Sequence, residues 1–446
     1  MDGDFLSSAF SRVHKIDPTL EPRIVVCAAD AVARTPRVCA DVLGGAKQPV
    51  TVLADVRTRA VAGRAVAEAL RSDGWAVTER IVPDPQEGGA WGGSWGGPVC
   101  DDTTKESLDA GLAGAALLVA VGSGVVSDLG KWLAGDRGIP YVCFATACSM
   151  TGYASANVAP AVRGVKTLVR ARPPAAVLAD PAILRTAPPE MTAAGLGDVV
   201  AKSVSTMDWR LNHLLFDDSY VEMAATLVAD VEPLYLDHPE LLRDGDERAT
   251  EALFAALLLV GVSMTLAGTS SPASGGEHMI SHTLDAMSSL DGREHDLHGR
   301  QVGVGTVLAA ELYDRLLDED APAWRDGPQE IDAAFWGPLA EVVRDHYGEK
   351  LPRLREARRA LANPAAWRRL RDALRPMHRR PSAIRECLVR GGAAVTAADI
   401  RCDRERLLAA LVHAHQMRSR FTILDLAHLA GLMPGAAADL VDGWAS

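Results

Sequence analysis

The segment AALLVAVGSGVVSDLGKW constrains this chain more than any other. Residues 115–121 are an unbroken apolar run, which reads as a strand buried on both faces of a parallel sheet. The run ends in Gly122-Ser123-Gly124, and a helical stretch follows. Glycines at such a turn let the backbone approach a diphosphate, and the helix N-terminus beyond them attracts its charge. The turn departs from GxGxxG at its sixth position, Ser127, and from a Walker A loop at Val125, where glycine would be required. Taken alone it also fits a tight strand-to-helix turn with no ligand.

Short apolar runs alternate with helical stretches on either side. Residues 24–27, 50–54, 75–81, 141–145 and 175–178 are further strand candidates, and residues 60–72 read as a helix. This alternation predicts βαβ units and an α/β domain. After Pro188 the pattern changes to long Ala/Leu/Arg-rich segments, 194–215, 251–266, 303–317, 352–361 and 404–420, which predict helices with few strands between them. The 446 residues are too many for one ordinary core. The expected division is an α/β domain over 1–187 and an all-α domain over 188–446. The most apolar stretch, 252–268, is marginal in length for a membrane span and is interrupted by Gly261, Ser263 and Thr265. A buried core helix, and no membrane span, is expected there. The Gly/Trp-rich residues 83–99 read as a long loop, either an insertion or a lid carrying Trp91 and Trp95 over a site.

The formal net charge of −12 argues against nucleic acid or an anionic membrane as partner, and leaves room for a local basic pocket. The seven cysteines are scattered and form no CxxC pair, which points to reduced thiols rather than disulfides or a thiolate zinc site. Residues 1–15 have no long apolar stretch, so no secretory signal and a cytoplasmic location are expected.

Asp55, at the end of the second strand, suits both a ribose-binding acid and a helix N-cap; Arg57 beside it suits a 2′-phosphate. Three later stretches carry metal-ligand chemistry. GLGDVVAK places Asp198 after Gly197 at an expected helix start. SGGEHMISH spaces His278 and His282 four apart, on one helix face. LHGRQVGVG places His298 before a glycine. One carboxylate and two imidazoles hold a divalent cation and leave a position for a substrate oxygen. Each histidine also suits capping or core packing, and spacing leaves His213 and His295 as rival ligands.

GSGVVSDLGK, TACSMTGYAS, APPEM, GLGDVVAKSVSTMDW, ASGGEHMISH, LHGRQVGVG and RFTILDLAHLAG stand in the order seen in sn-glycerol-1-phosphate dehydrogenases. The chain resembles that family over roughly residues 55–431. The resemblance implies a dehydroquinate synthase-like fold: a Rossmann-like domain, a helical metal-binding domain, and an active site in the cleft between them. It implies a homo-oligomer that reduces dihydroxyacetone phosphate, or a similar small phosphorylated ketone, with NADH or NADPH. It assigns Gly122, Ser123, Gly124, Val125 and Val126 to the dinucleotide phosphates, and Thr146, Ser149 and Ser155 to the nicotinamide side. It assigns Asp198, His278 and His298 to zinc, iron(II) or nickel(II), His282 to proton transfer at the substrate, and position 151 to substrate contact. At that position the family carries aspartate; Thr151 offers a hydroxyl but no charge. Arg300 stands where glutamate is usual and suits either a phosphate or solvent. Two other readings remain: a sugar-phosphate cyclase or lyase like 3-dehydroquinate synthase, using NAD transiently, and a non-catalytic relative, prompted by Thr151.

Overall fold

The computed structural model describes residues 5–85, 97–162 and 165–446. Six strands, β1 (Ile24–Cys27), β2 (Val50–Asp55), β3 (Val77–Val82), β4 (Leu117–Gly122), β5 (Tyr141–Ala145) and β6 (Ala176–Ala179), form one sheet in the order β1-β6-β5-β4-β2-β3. Every neighbouring pair is parallel. Alternate residues explain why the strands read as continuous apolar runs. Val50, Val52, Val119, Val121, Val142 and Phe144 pack one face against Val38 and Cys39 of the Ala31–Val42 helix and Val66 and Leu70 of the Arg64–Ser72 helix. Leu53, Leu118, Ala120, Cys143 and Val177 bury the other face completely. A parallel sheet covered on both sides requires this, and burying each Val or Leu contributes about 1.5–3 kcal/mol.

The strand order locates the ligand end of the sheet. The chain runs from β2 outward to the edge strand β3, returns across β2 to β4, and continues in the other direction through β5 and β6. The order therefore reverses between β2 and β4, whose C-terminal ends carry Asp55 and Gly122. Open α/β sheets bind ligands at such a reversal.

Among the described residues no strand follows Ala179. The apolar stretch after residue 251 lies in a 21-residue helix, Glu247–Ala267, in which residues 252–263 are all buried. Its length and composition alone would suit a membrane, but 78% of its most apolar window is enclosed by protein, as a core helix requires. The chain divides into two compact units, Met1–Gly195 with Thr226–Thr265, and Leu196–Ala225 with Leu266–Ser446. The division is thus not a single cut after residue 187, because most of the apolar helix returns to the first unit. Trp91 and Trp95 of the expected loop lie outside the described residues.

Two expectations are corrected. Asp198 lies in the last turn of the Pro189–Val200 helix, not at a helix start. Proline in the first turn begins that helix, and the glycines near its end serve close packing. Residues 194–215 are also not one helix, since a second, Lys202–Phe216, follows the break at Ala201.

Candidate metal centre and dinucleotide turn

Three helices bring the donors together, and all three donor residues belong to the second unit. Asp198 comes from the end of Pro189–Val200, His278 is the third residue of Gly276–Asp291, and His298 is the first of His298–Asp318. Their ligand atoms all lie within 4.8 Å of one another. His278 Nε2 is 3.5 Å from Asp198 Oδ1, and the His278 and His298 ring centroids are 5.2 Å apart. Two donors on one tetrahedral ion, each about 2.1 Å from it, stand about 3.4 Å apart. The spacing and the mixed N/O set therefore fit zinc, iron(II) or nickel(II).

Close helix packing makes this convergence possible. A Cβ on Gly197 would lie 2.1 Å from the Gly299 carbonyl oxygen, so only glycine lets the two helices meet where Asp198 and His298 begin. Further partners hold the imidazoles from behind. Glu277 Oε1 lies 2.7 Å from His278 Nδ1 and accepts the Gly275 N–H at 2.7 Å. Ser281 Oγ donates to Gln301 Oε1 at 2.9 Å and lies 3.1 Å from His298 Nδ1. Asp208 accepts from Gly276 N, Ile423 N and Tyr313 Oη at 2.6–2.7 Å, tying the RFTILDLAHLAG motif to the start of the His278 helix. Burial alone would push His278 down, but the Asp198 and Glu277 carboxylates outweigh it and raise its pKa to about 9.

His282 lies one turn beyond His278, its ring stacked on His298 at 5.4 Å and 17°. His282, Asp285 and His298 form a second group of donors within 4.8 Å. The rival histidines belong to neither group: His213 Nδ1 bonds the Asp218 carbonyl at 2.7 Å, and His295 Nδ1 sits 3.5 Å from Asp285. Arg300 is partly buried, and its Nε is 3.1 Å from the buried Asp296 carboxylate.

In the first unit, Asp55 is an N-cap, its Oδ1 accepting from Arg57 N at 2.7 Å and Thr58 N at 2.8 Å. Arg57 itself pairs with Asp84 at 2.8 Å. Gly122 closes β4, and Ser123 begins the Gly124–Arg137 helix without capping it through its side chain. The first-turn N–H groups of Gly124, Val125 and Val126 thus have no helical acceptor. Ser123 Oγ bonds Ser149 Oγ, and Tyr153 Oη, 2.9 Å from Ser123 Oγ, donates to the Ala147 carbonyl at 2.7 Å. Thr146 N donates to Gly122 O at 3.3 Å. Ser155 Oγ lies 3.0–3.1 Å from the Asn157 and Gly152 carbonyls. The buried Lys131 Nζ donates to the same two carbonyls, at 3.0 and 2.7 Å. Thr151, on this loop, is 8% exposed. Lys131, Tyr153, Asp208, Glu277, Ser281 and Gln301 were not singled out from the sequence.

Residues 26–188 match the family model described as iron-containing alcohol dehydrogenase. A glycerol-1-phosphate dehydrogenase, NAD(P)+, of Bacillus velezensis is 33% identical over 293 residues, 64% of this chain and 71% of the relative. The chain belongs to the glycerol-1-phosphate dehydrogenase family. Its Pyrococcus furiosus member of the same name is 32% identical over 296 residues, 66% of this chain and 79% of that one. The chain also shares its fold with a probable glycerol dehydrogenase of Sinorhizobium meliloti, at a TM-score of 0.61 and 17% identity, covering 95% of this chain and 96% of that one.

Proposed function

We propose that this chain is a cation-dependent, NAD(P)-linked dehydrogenase. It interconverts a small phosphorylated ketone and its alcohol, of the dihydroxyacetone phosphate and glycerol 1-phosphate class. The convergence of Asp198, His278 and His298 within 4.8 Å carries the reading. These three side chains hold the cation, which supplies Lewis acidity toward the carbonyl oxygen. The Gly122–Val126 turn and Asp55 bind the dinucleotide diphosphate and ribose, and Thr146, Ser149 and Ser155 line its nicotinamide side. His282, stacked on His298, holds and transfers the substrate proton at an imidazole nitrogen. Thr151 meets the substrate through a neutral hydroxyl, so the preferred substrate differs from glycerol 1-phosphate in the group placed there. The first unit serves the dinucleotide and the second the cation. Seven free cysteines support a reducing, cytoplasmic location, and family membership supports a homo-oligomer.

The test is a panel of phosphorylated ketones assayed by NADH and NADPH absorbance on zinc-loaded protein. Stoichiometric NAD(P)H oxidation by wild type, lost in Asp198→Asn, is the expected result. Substrate conversion with no net change in NADH would identify a cyclase, and bound zinc without NADH binding a non-catalytic relative. Thr151→Asp should gain dihydroxyacetone phosphate reduction; rapid reduction by wild type would remove the substrate-shift part.

A further inference from the structure

The outer hydrogen bonds of the two imidazoles decide which nitrogen faces the cation. The Gln301 side-chain oxygen only accepts, so the Ser281 hydroxyl proton is directed to it at 2.9 Å. Ser281 Oγ then accepts from His298 Nδ1–H at 3.1 Å, leaving the lone pair on Nε2. Glu277 does the same for His278, with a carboxylate in place of a hydroxyl. A charge-assisted bond of this kind is about twice as strong as a neutral one.

That carboxylate stands in an unfavourable place. Glu277 and Asp208 are both fully buried. A Cβ on Gly275 would lie 2.5 Å from Asp208 Oδ2 and 2.8 Å from Glu277 Oε2, so the two oxygens border the space of one methyl group. The buried Arg420 guanidinium, bonded to Ser270 Oγ at 2.8 Å, attracts both carboxylates and offsets part of their repulsion. An isosteric amide would keep the shape and remove the charge. Glutamine at 277 would keep an oxygen for Gly275 N–H and His278 Nδ1–H, and would turn an NH₂ donor toward Asp208.

We propose that Glu277 is a positioning residue for the cation: it aims His278 Nε2 at the centre and strengthens it as a donor. The inference rests on the cation reading above, and deepens it by naming a residue that touches neither ion nor substrate. A role in folding alone weakens zinc binding only where the cation-free chain unfolds, which makes the two roles separable.

The experiment compares full-length wild type with Glu277→Gln. Zinc affinity is measured by chelator competition, and thermal unfolding on cation-free protein. The expected result is zinc affinity about 10–100-fold weaker in Glu277→Gln, with the cation-free variant still folded at the temperature of the zinc measurement. Unchanged affinity overturns the proposal. So does weaker affinity in a variant whose cation-free form is unfolded at that temperature, which marks a structural residue. Wild type that binds no zinc overturns the cation reading itself, so the two failures are distinguishable.

Discussion

Gly197→Ala should empty the cation centre while leaving the chain folded. The added Cβ would stand 2.1 Å from the Gly299 carbonyl oxygen, 3.1 Å from its carbon and 3.4 Å from Gly303 Cα. All three are backbone atoms, so no side chain can swing aside. An ordinary carbon–oxygen contact is about 3.3 Å, so the Pro189–Val200 and His298–Asp318 helices must separate by about 1 Å. Asp198 and His298 adjoin the two contact points and move with their helices. Ligand distances tolerate only about 0.2 Å, so the centre is lost first. Overpacking of this kind costs about 1–3 kcal/mol, and alanine in a helix recovers about 0.5–1 kcal/mol over glycine, against a total stability of roughly 5–15 kcal/mol. Zinc content after dialysis, with circular dichroism and a thermal melt, reads both quantities. Gly303→Ala is the control, because its Cβ would meet Gly197 Cα at 3.4 Å and Leu388 Cδ2 at 3.5 Å, ordinary contacts at the same interface. Wild-type zinc affinity in Gly197→Ala, or equal loss in both variants, would refute the close-approach argument.

Two further outcomes follow from buried groups. Burial, aided by the charges of Lys350 and His413, holds the His428 pKa at about 4 in the fold. The unfolded chain takes up that proton near pH 6.5 and the folded chain refuses it, so stability is lost as pH falls from about 6.5 toward 4, by up to about 3 kcal/mol. His428→Gln should flatten the acid limb of unfolding free energy against pH; an unchanged slope removes His428 as its cause. Lys131→Met should cost about 2–4 kcal/mol, since the Gly152 and Asn157 carbonyls lose a buried charged donor. NADH titration should weaken in the same variant as the loop carrying Ser155 loosens, and wild-type NADH affinity would count against a cofactor role for that loop.

The sheet was legible because burial on both faces leaves a direct trace. Residues 141–145 match β5 at both ends, and residues 50–54 miss only Asp55 of β2. Asp198 was misplaced for a physical reason: glycines at 195 and 197 look like helix breakers in sequence, whereas here they remove side chains where backbones touch. The stop at Ala201 has no signal at all, since that residue keeps helical dihedrals. The convergence of Asp198, His278 and His298 was legible from motif order and from the four-residue spacing of His278 and His282. Their outer partners depend on which helix faces meet, although a local trace existed: Ser281 and Gln301 lie three residues beyond His278 and His298, on the same faces. The return of residues 226–265 to the first unit was invisible, because apolar helices read alike in either core.

The electrostatics of the centre explain why the Asp198 and Glu277 carboxylates accompany the histidines. His278 and His298 sit in the first turns of their helices, where each helix dipole presents roughly half a positive charge. Two such ends oppose a dication and would also oppose an imidazolium. Asp198 supplies one negative charge among the donors and Glu277 a second just behind them, which together neutralise a divalent ion. The two helix N-termini outweigh the single helix C-terminus at Asp198, so the residual field is positive and would favour negative charge on a substrate carbonyl oxygen. A third carboxylate in the donor set would tighten cation binding and cancel that field. On this argument the pairing of one carboxylate donor with a carboxylate held one bond further away is a compromise between holding the ion and leaving it electrophilic.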